Sequence, residues 1–173
     1  MWTRGCSLPT TGTEGIQNEK AALKKNAGDG RWKGERDGRQ WELLATGLDL
    51  QPGICIKILG DIPPDAKHCR TELGKDNGNV TLHFDPRFRF GNDTKVIVCN
   101  SREDFYLGRE IREKHFLFEQ GTMVEVSISF EGKQFKIKLH DDSELSFPDH
   151  LNLQSINYME ISHDFKLKLL SFE

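Results

Sequence analysis

In the stretch Asn79-Val80-Thr81-Leu82-His83-Phe84-Asp85-Pro86-Arg87-Phe88, polar and apolar residues alternate. Extended backbone sends alternate side chains to opposite faces. Val80, Leu82 and Phe84 then turn toward a core, and His83, Asp85 and Arg87 share the other face. A ring donor and acceptor, a carboxylate acceptor and a guanidinium fork in one row can hold several hydroxyls of a polar ligand such as a sugar. Two later patches, Val98-Cys99-Asn100-Ser101-Arg102 and Glu110-Ile111-Arg112-Glu113, can complete such a site. Glu110 and Arg112 share strand parity, which sets their charges side by side on one wet face. Taken by spacing alone, such a row is most often an ordinary solvated strand face.

Asp85 and Glu110 superficially form a glycosidase pair, two carboxylates on one ligand-facing sheet. Each has an arginine close by in sequence, Arg87 and Arg112, and a neighbouring cation keeps a carboxylate ionised. Glycoside hydrolysis needs one carboxyl held protonated as general acid. The pattern therefore argues for binding without catalysis.

These residues need a scaffold, and hydrophobic periodicity supplies it. Ile54, Ile56 and Ile58, then Val124, Val126, Ile128 and Phe130, then Phe135, Ile137 and Leu139, then Phe165, Leu167 and Leu169 all recur at a period of two. Turn signals separate the runs: Pro63-Pro64-Asp65, Asp76-Asn77-Gly78, Glu131-Gly132-Lys133 and His140-Asp141-Asp142-Ser143. Asn77-Gly78 reads as a two-residue hairpin turn, since both residues tolerate positive φ. No long helix is expected after residue 43. Many short strands with frequent turns predict an all-β, antiparallel sandwich.

The chain has 173 residues, enough for one domain with a tail. Residues 1–42 are rich in Gly, Lys, Arg and Glu and read as a flexible tail, and residues 43–173 as the domain. Trp2, Trp32 and Trp41 lie in or beside that tail, unusual company for a linker. A formal net charge of −3 gives no basic field to attract nucleic acid. No run approaches bilayer-spanning length and the N-terminus carries no apolar signal core, so membrane insertion is not expected and a cytoplasmic location is. Cys6, Cys55, Cys69 and Cys99 lack zinc or CxxC spacing and read as free thiols.

The blocks His83-Phe84-Asp85-Pro86-Arg87-Phe88, Val98-Cys99-Asn100-Ser101, Glu110-Ile111-Arg112-Glu113, Phe147-Pro148-Asp149-His150-Leu151-Asn152-Leu153 and Ile156-Asn157-Tyr158-Met159 together resemble the galectin family. Leu50-Gln51-Pro52-Gly53 and Leu73-Gly74-Lys75-Asp76 fit as well, with the spacing of the prototype, single-domain members. The resemblance implies a jelly-roll sandwich and calcium-independent binding of β-galactosides on glycans or glycoproteins, with no cofactor or metal. It also implies a homodimer through terminal strands, near Leu43–Leu48 and Lys168–Phe172, and non-classical export to the extracellular space. Carried over by position, His83 and Arg87 match the residues that grip the axial galactose O4, Asn100 and Glu110 those that bind O6, and Arg112 the arginine that braces the glutamate.

Three positions depart from the family pattern. Asp85 stands where an asparagine is expected; it can accept from O4 or pair with Arg87 and lock it. Gly91 replaces a second histidine. Leu107 replaces the tryptophan that stacks under galactose, a loss of about 1–3 kcal/mol by analogy with base stacking, or roughly 5- to 150-fold in affinity. Tyr106 can take over as the stacking ring if its loop shifts by one residue. The expectation is a β-galactoside lectin with a weakened or altered site; the alternative is a galectin-like protein without sugar binding that acts through protein-protein or structural interactions.

Overall fold

A computed structural model of the chain describes residues 29–36 and 39–173. The period-two runs form strands, and no helix occurs among the described residues. One sheet holds β1 (Asp29–Arg36), β2 (Arg39–Leu50), β4 (Cys69–Asp76), β5 (Asn79–Phe90), β6 (Asp93–Glu103), β7 (Tyr106–Leu107), β8 (Ile111–Glu113) and β12 (Ile156–His163). Its order is β1-β2-β12-β4-β5-β6-β7, with β8 also on β6. The second holds β3 (Cys55–Asp61), β9 (Met123–Phe130), β10 (Gln134–Lys138), β11 (Glu144–Pro148) and β13 (Lys166–Phe172), in the order β11-β10-β9-β3-β13. All pairings are antiparallel.

Register explains which side chains meet. Leu43, Ile161, Thr71, Phe84 and Cys99 are successive partners across β2, β12, β4, β5 and β6. This row faces the second sheet and joins Ile56, Ile128, Phe130 and Phe135 in the core. Phe130 and Phe135 stack at 5.1 Å across the β9–β10 pair. Burying a side chain of this class stabilises the fold by about 1.5–3 kcal/mol. One residue along, Leu44, Glu160, Glu72, His83 and Asn100 form the parallel row on the outer face. The alternation that builds the core thus delivers the polar row to the opposite side.

The register also corrects the sequence reading at two strands. Leu82 and Phe84 are core residues, but Val80 clusters with Leu44 and Tyr158 on the outer face. Pairing shifts between Val80 and His83, and such a bulge inserts a residue and flips the parity. Thr81 is instead buried against the Asp149 carboxylate. Gly74 allows this close approach, because a Cβ there would collide with the Asn79 carbonyl. On β13 a shift between Leu167 and Leu169 brings Leu170 into the core, where Leu169 was expected.

The Asn77-Gly78 hairpin joins β4 to β5 as expected, yet neither residue takes a positive φ. Asp76 closes the turn by accepting from the Gly78 and Asn79 backbone N–H groups at 2.9 Å each. Cys69 and Cys99 are free and buried, and Cys55 is disulfide-bonded, unlike the four free thiols expected. Residues 1–42 were read as a flexible tail; the span 29–36 and the start of β2 are strands, because β1 finds an antiparallel partner along β2. Residues 1–28, with Trp2 and Cys6, lie outside the described residues.

Candidate functional site

β5 places His83, Asp85 and Arg87 on the outer face, as the alternation requires. Asp85 is fully buried and accepts at 2.8 Å from His68 Nδ1 on one oxygen and from Arg87 Nε on the other. Burial by itself would raise its pKa, but the bonds from His68 and Arg87 and the nearby His83 ring outweigh that and hold the carboxyl well below the usual range. Of the two roles open to Asp85, the structure shows the locking of Arg87.

His83 sits between two carboxylates. Its Nδ1–H donates to Glu72 Oε1 at 2.9 Å, while its Nε2 lies 3.7 Å from Asp85 Oδ2, beyond hydrogen-bond range. Burial opposes charge on the ring, yet the interactions with Asp85 and Glu72 raise its pKa above the ordinary value. Glu72 also receives two parallel bonds from Arg102, at 3.1 and 3.0 Å. Burial would push Glu72 up; His83 and Arg102 bring it down to about 2. The ring is therefore clamped through Nδ1, while Nε2, facing Asp85, makes no hydrogen bond among the described residues.

The chain of charges continues outward. Arg87 Nη1 donates to Asp93 Oδ2 at 2.5 Å, and Arg112 Nη1 to Asp93 Oδ1 at 2.7 Å. Arg112 Nε donates to Glu110 Oε1 at 2.6 Å, so the expected brace on the glutamate is in place. Bonds from Arg112 and Arg87 lower the Asp93 pKa. Asn100 is buried beside His83 on β6, its Oδ1 accepting from Ser101 N at 2.8 Å. Arg87 Nη2 and Asn100 Nδ2 make no hydrogen bond among the described residues.

Leu107 and Tyr106 fall on opposite sides of β7. Leu107 pairs with Arg102, whose side chain lies on the outer face against Glu72, so Leu107 stands on the ligand side, largely exposed. Tyr106 pairs with Glu103 and turns away. Asp104 and Phe105 form a two-residue turn with φ of 48° and 68°, which fixes this register. The one-residue loop shift that would bring Tyr106 under a sugar does not occur.

The sequence reading assembled His83, Asp85, Arg87, Asn100, Glu110, Arg112, Tyr106 and Leu107; the structure gathers all but Tyr106 on or beside one face. It missed Glu72, His68 and Asp93, and named Arg102 only as the end of the Val98–Arg102 patch, with no role. Glu72 and Arg102 share strand parity with their partners, but only the β4–β5 register shows that they meet. His68 precedes β4 and bridges to Arg87, a contact that no local pattern signals.

A sandwich with a hydrogen-bonding outer sheet face and leftover donors defines a lectin-like class of protein. The family model for galactoside-binding lectins matches residues 43–172. Galectin-1 of Capra hircus is 46% identical over 131 residues, covering 76% of this chain and 97% of that protein. A 16 kDa beta-galactoside-binding lectin of Gallus gallus is 42% identical, covering 75% and 96%. Among solved structures, a homodimeric agglutinin from chicken liver, CG-16, superposes with a TM-score of 0.73 at 42% identity, over 75% of this chain and 98% of that one. A toad ovary galectin in complex with thio-digalactose matches with a TM-score of 0.73 at 38% identity, over 75% and 96%. The chain belongs to the galectin family, as a member of the prototype kind.

Proposed function

We propose that the outer face from β4 to β8 binds the terminal galactose of β-galactoside glycans, including those on glycoproteins, and performs no chemistry on it. The observation that carries this reading is the set of donors left free in a rigid frame: His83 Nε2, Arg87 Nη2 and Asn100 Nδ2. Each is held by a bond from another atom of the same side chain. An axial hydroxyl needs fixed donors more than it needs fresh contact area, and preorganisation reduces the ordering cost of binding. Hydrolysis would need a protonated carboxyl; Asp85 and Glu72 are both held ionised by cationic neighbours. Leu107 supplies an apolar contact without a ring, so affinity is lower than in a site with a stacking aromatic. Retention of the full chain on lactose-agarose, lost in Arg87→Ala, tests the reading. Flow-through of the wild type on lactose, sialylated and sulfated columns alike overturns it in favour of a galectin-like protein acting through protein contacts.

Assembly in this reading follows from the sheet edges. β1 pairs with β2 at seven residue pairs, from Asp29↔Thr46 to Arg36↔Arg39. A strand paired on both sides has no free N–H and C=O row for a second copy. A homodimer that uses Leu43–Leu48 therefore forms only when β1 leaves that edge, while Lys168–Phe172 on β13 lies at the open edge of the smaller sheet.

A further inference from the structure

Glu72 lies fully buried on the outer face of the larger sheet, opposite His83 in the β4–β5 register. Arg102 holds it with one bond to each carboxylate oxygen, at 3.1 and 3.0 Å, and is itself anchored on the Asn77 carbonyl at 3.0 and 2.7 Å. The paired arginine keeps the acid ionised, and an ionised carboxylate can only accept. The 2.9 Å contact between Glu72 Oε1 and His83 Nδ1 therefore requires the hydrogen to be on Nδ1. A histidine ring carries one hydrogen on nitrogen when neutral and two when charged. With the first committed to Glu72, Nε2 carries a hydrogen only in the imidazolium form.

The consequence for the sugar rests on the galactoside reading above, in which His83 and Arg87 both offer donors to the axial O4. That hydroxyl has two lone pairs and a single hydrogen. Against a charged ring, O4 accepts from His83 Nε2 and from Arg87 Nη2 and keeps its own hydrogen for another acceptor. Against a neutral ring, Nε2 is itself an acceptor. O4 must then turn its hydrogen to the ring, and a charge-assisted bond becomes an ordinary one. A neutral ring also sets its lone pair toward Asp85 Oδ2, 3.7 Å away, acceptor facing acceptor. The charges around the ring are Glu72 and Arg70 on β4, Asp85 and Arg87 on β5, and Arg102 on β6 behind Glu72. Arg87 and Arg102 are each paired with an acid, so burial and Arg70 are what oppose a proton on the ring, and the two acids prevail over them. We propose that Glu72 is a positioning residue for the galactoside: by claiming the Nδ1 hydrogen of His83, it makes the Nε2 donor to O4 conditional on a charged ring, and so couples tight sugar binding to a proton on His83.

Two independent readings on the full-length chain test this. The first is calorimetric titration with lactose between about pH 5.5 and about pH 9, a window above the ordinary carboxylate range and below that of lysine. Affinity is expected to fall roughly tenfold from the acid limb to the alkaline one, the difference between a charge-assisted and an ordinary hydrogen bond. The midpoint should lie above 6.5, since the native ring holds its proton beyond the ordinary histidine value. The second is ring-nitrogen NMR of His83, which follows the proton directly. Linkage requires saturating lactose to raise the His83 midpoint by about one unit for a tenfold coupling. Glu72→Gln removes the acid that claims Nδ1, and the step in affinity is expected to move to lower pH or to vanish; both wild-type readings stand without this variant. Lactose affinity that is flat across the window, or a His83 midpoint that lactose leaves in place, overturns the proton coupling and leaves the galactoside reading standing. A step that stays at the wild-type pH in Glu72→Gln overturns the role of Glu72. Absence of lactose binding at every pH overturns the galactoside reading itself, and the coupling with it.

Discussion

Asp85 Oδ2 accepts from Arg87 Nε at 2.8 Å, so the acid immobilises the arginine two residues along its own strand. The other Asp85 oxygen is taken by His68, and the carboxylate is fully buried. Asp85→Asn keeps the shape but loses two charge-assisted bonds, and is expected to lower stability by about 1.5–3 kcal/mol at neutral pH. Because the native pKa of Asp85 is depressed, its contribution is fully present above the ordinary carboxylate range and is lost as pH falls through the native value. The gap in urea midpoint between wild type and variant should therefore shrink in strong acid; a gap independent of pH would refute the ionic clasp.

Leu107→Trp restores a ring on the ligand side of β7, where register already places residue 107 beside Arg102. Lactose affinity is expected to rise roughly 5- to 150-fold, the converse of a stacking loss of about 1–3 kcal/mol. Tyr106→Ala, on the opposite face, should leave lactose affinity unchanged. Titration of the two variants side by side checks both, and a loss in Tyr106→Ala would show that the loop repacks around the sugar.

The reach of sequence reasoning is clear from these residues. Alternation along β5 was enough to put His83, Asp85 and Arg87 on one face, because a strand's parity is a local property. Val80 escaped it, since a bulge is set by the pairing of two strands and by the Gly74–Asn79 approach. Glu72 and His68 escaped for a related reason: their partners are on β5, and register between strands is a tertiary fact. The span 29–36 carries no period-two apolar pattern, so its pairing with β2 had no compositional signature.

The two central histidines titrate in opposite senses. The pKa of His83 is raised above 6.5, so its contribution is fully present below 6.5 and lost as pH rises through the native value. Its partner Glu72, at about 2 against 4.5, contributes fully above 4.5 and less as pH falls toward 2. His163 is held at about 4, burial being the main cause, so the unfolded chain takes up a proton below 6.5 that the native chain refuses until about 4. Stability is thereby lost as pH falls from 6.5 to 4. His163→Gln should gain on the wild type in mildly acidic solution relative to alkaline, and His83→Gln should do the reverse. Urea midpoints of the three proteins across pH decide this; parallel curves would contradict both assignments.

β1 supplies the last prediction, through the edge it covers. The β2 strand pairs with β12 on one side and β1 on the other, so the full chain presents β1 as the outer edge of the larger sheet. Removing residues 1–36 exposes the β2 edge from Trp41 to Leu48, beside the open edge of β13. The truncated chain is expected to sediment as a dimer at concentrations where the full chain sediments as a monomer, with lactose affinity per site unchanged, because β2 and β12 separate β1 from the strands of the candidate site. Antiparallel strand pairing supplies a continuous row of backbone bonds across such an edge, which β1 otherwise satisfies within one molecule. Identical sedimentation of the two forms, whether both monomers or both dimers, would show that β1 does not control this surface.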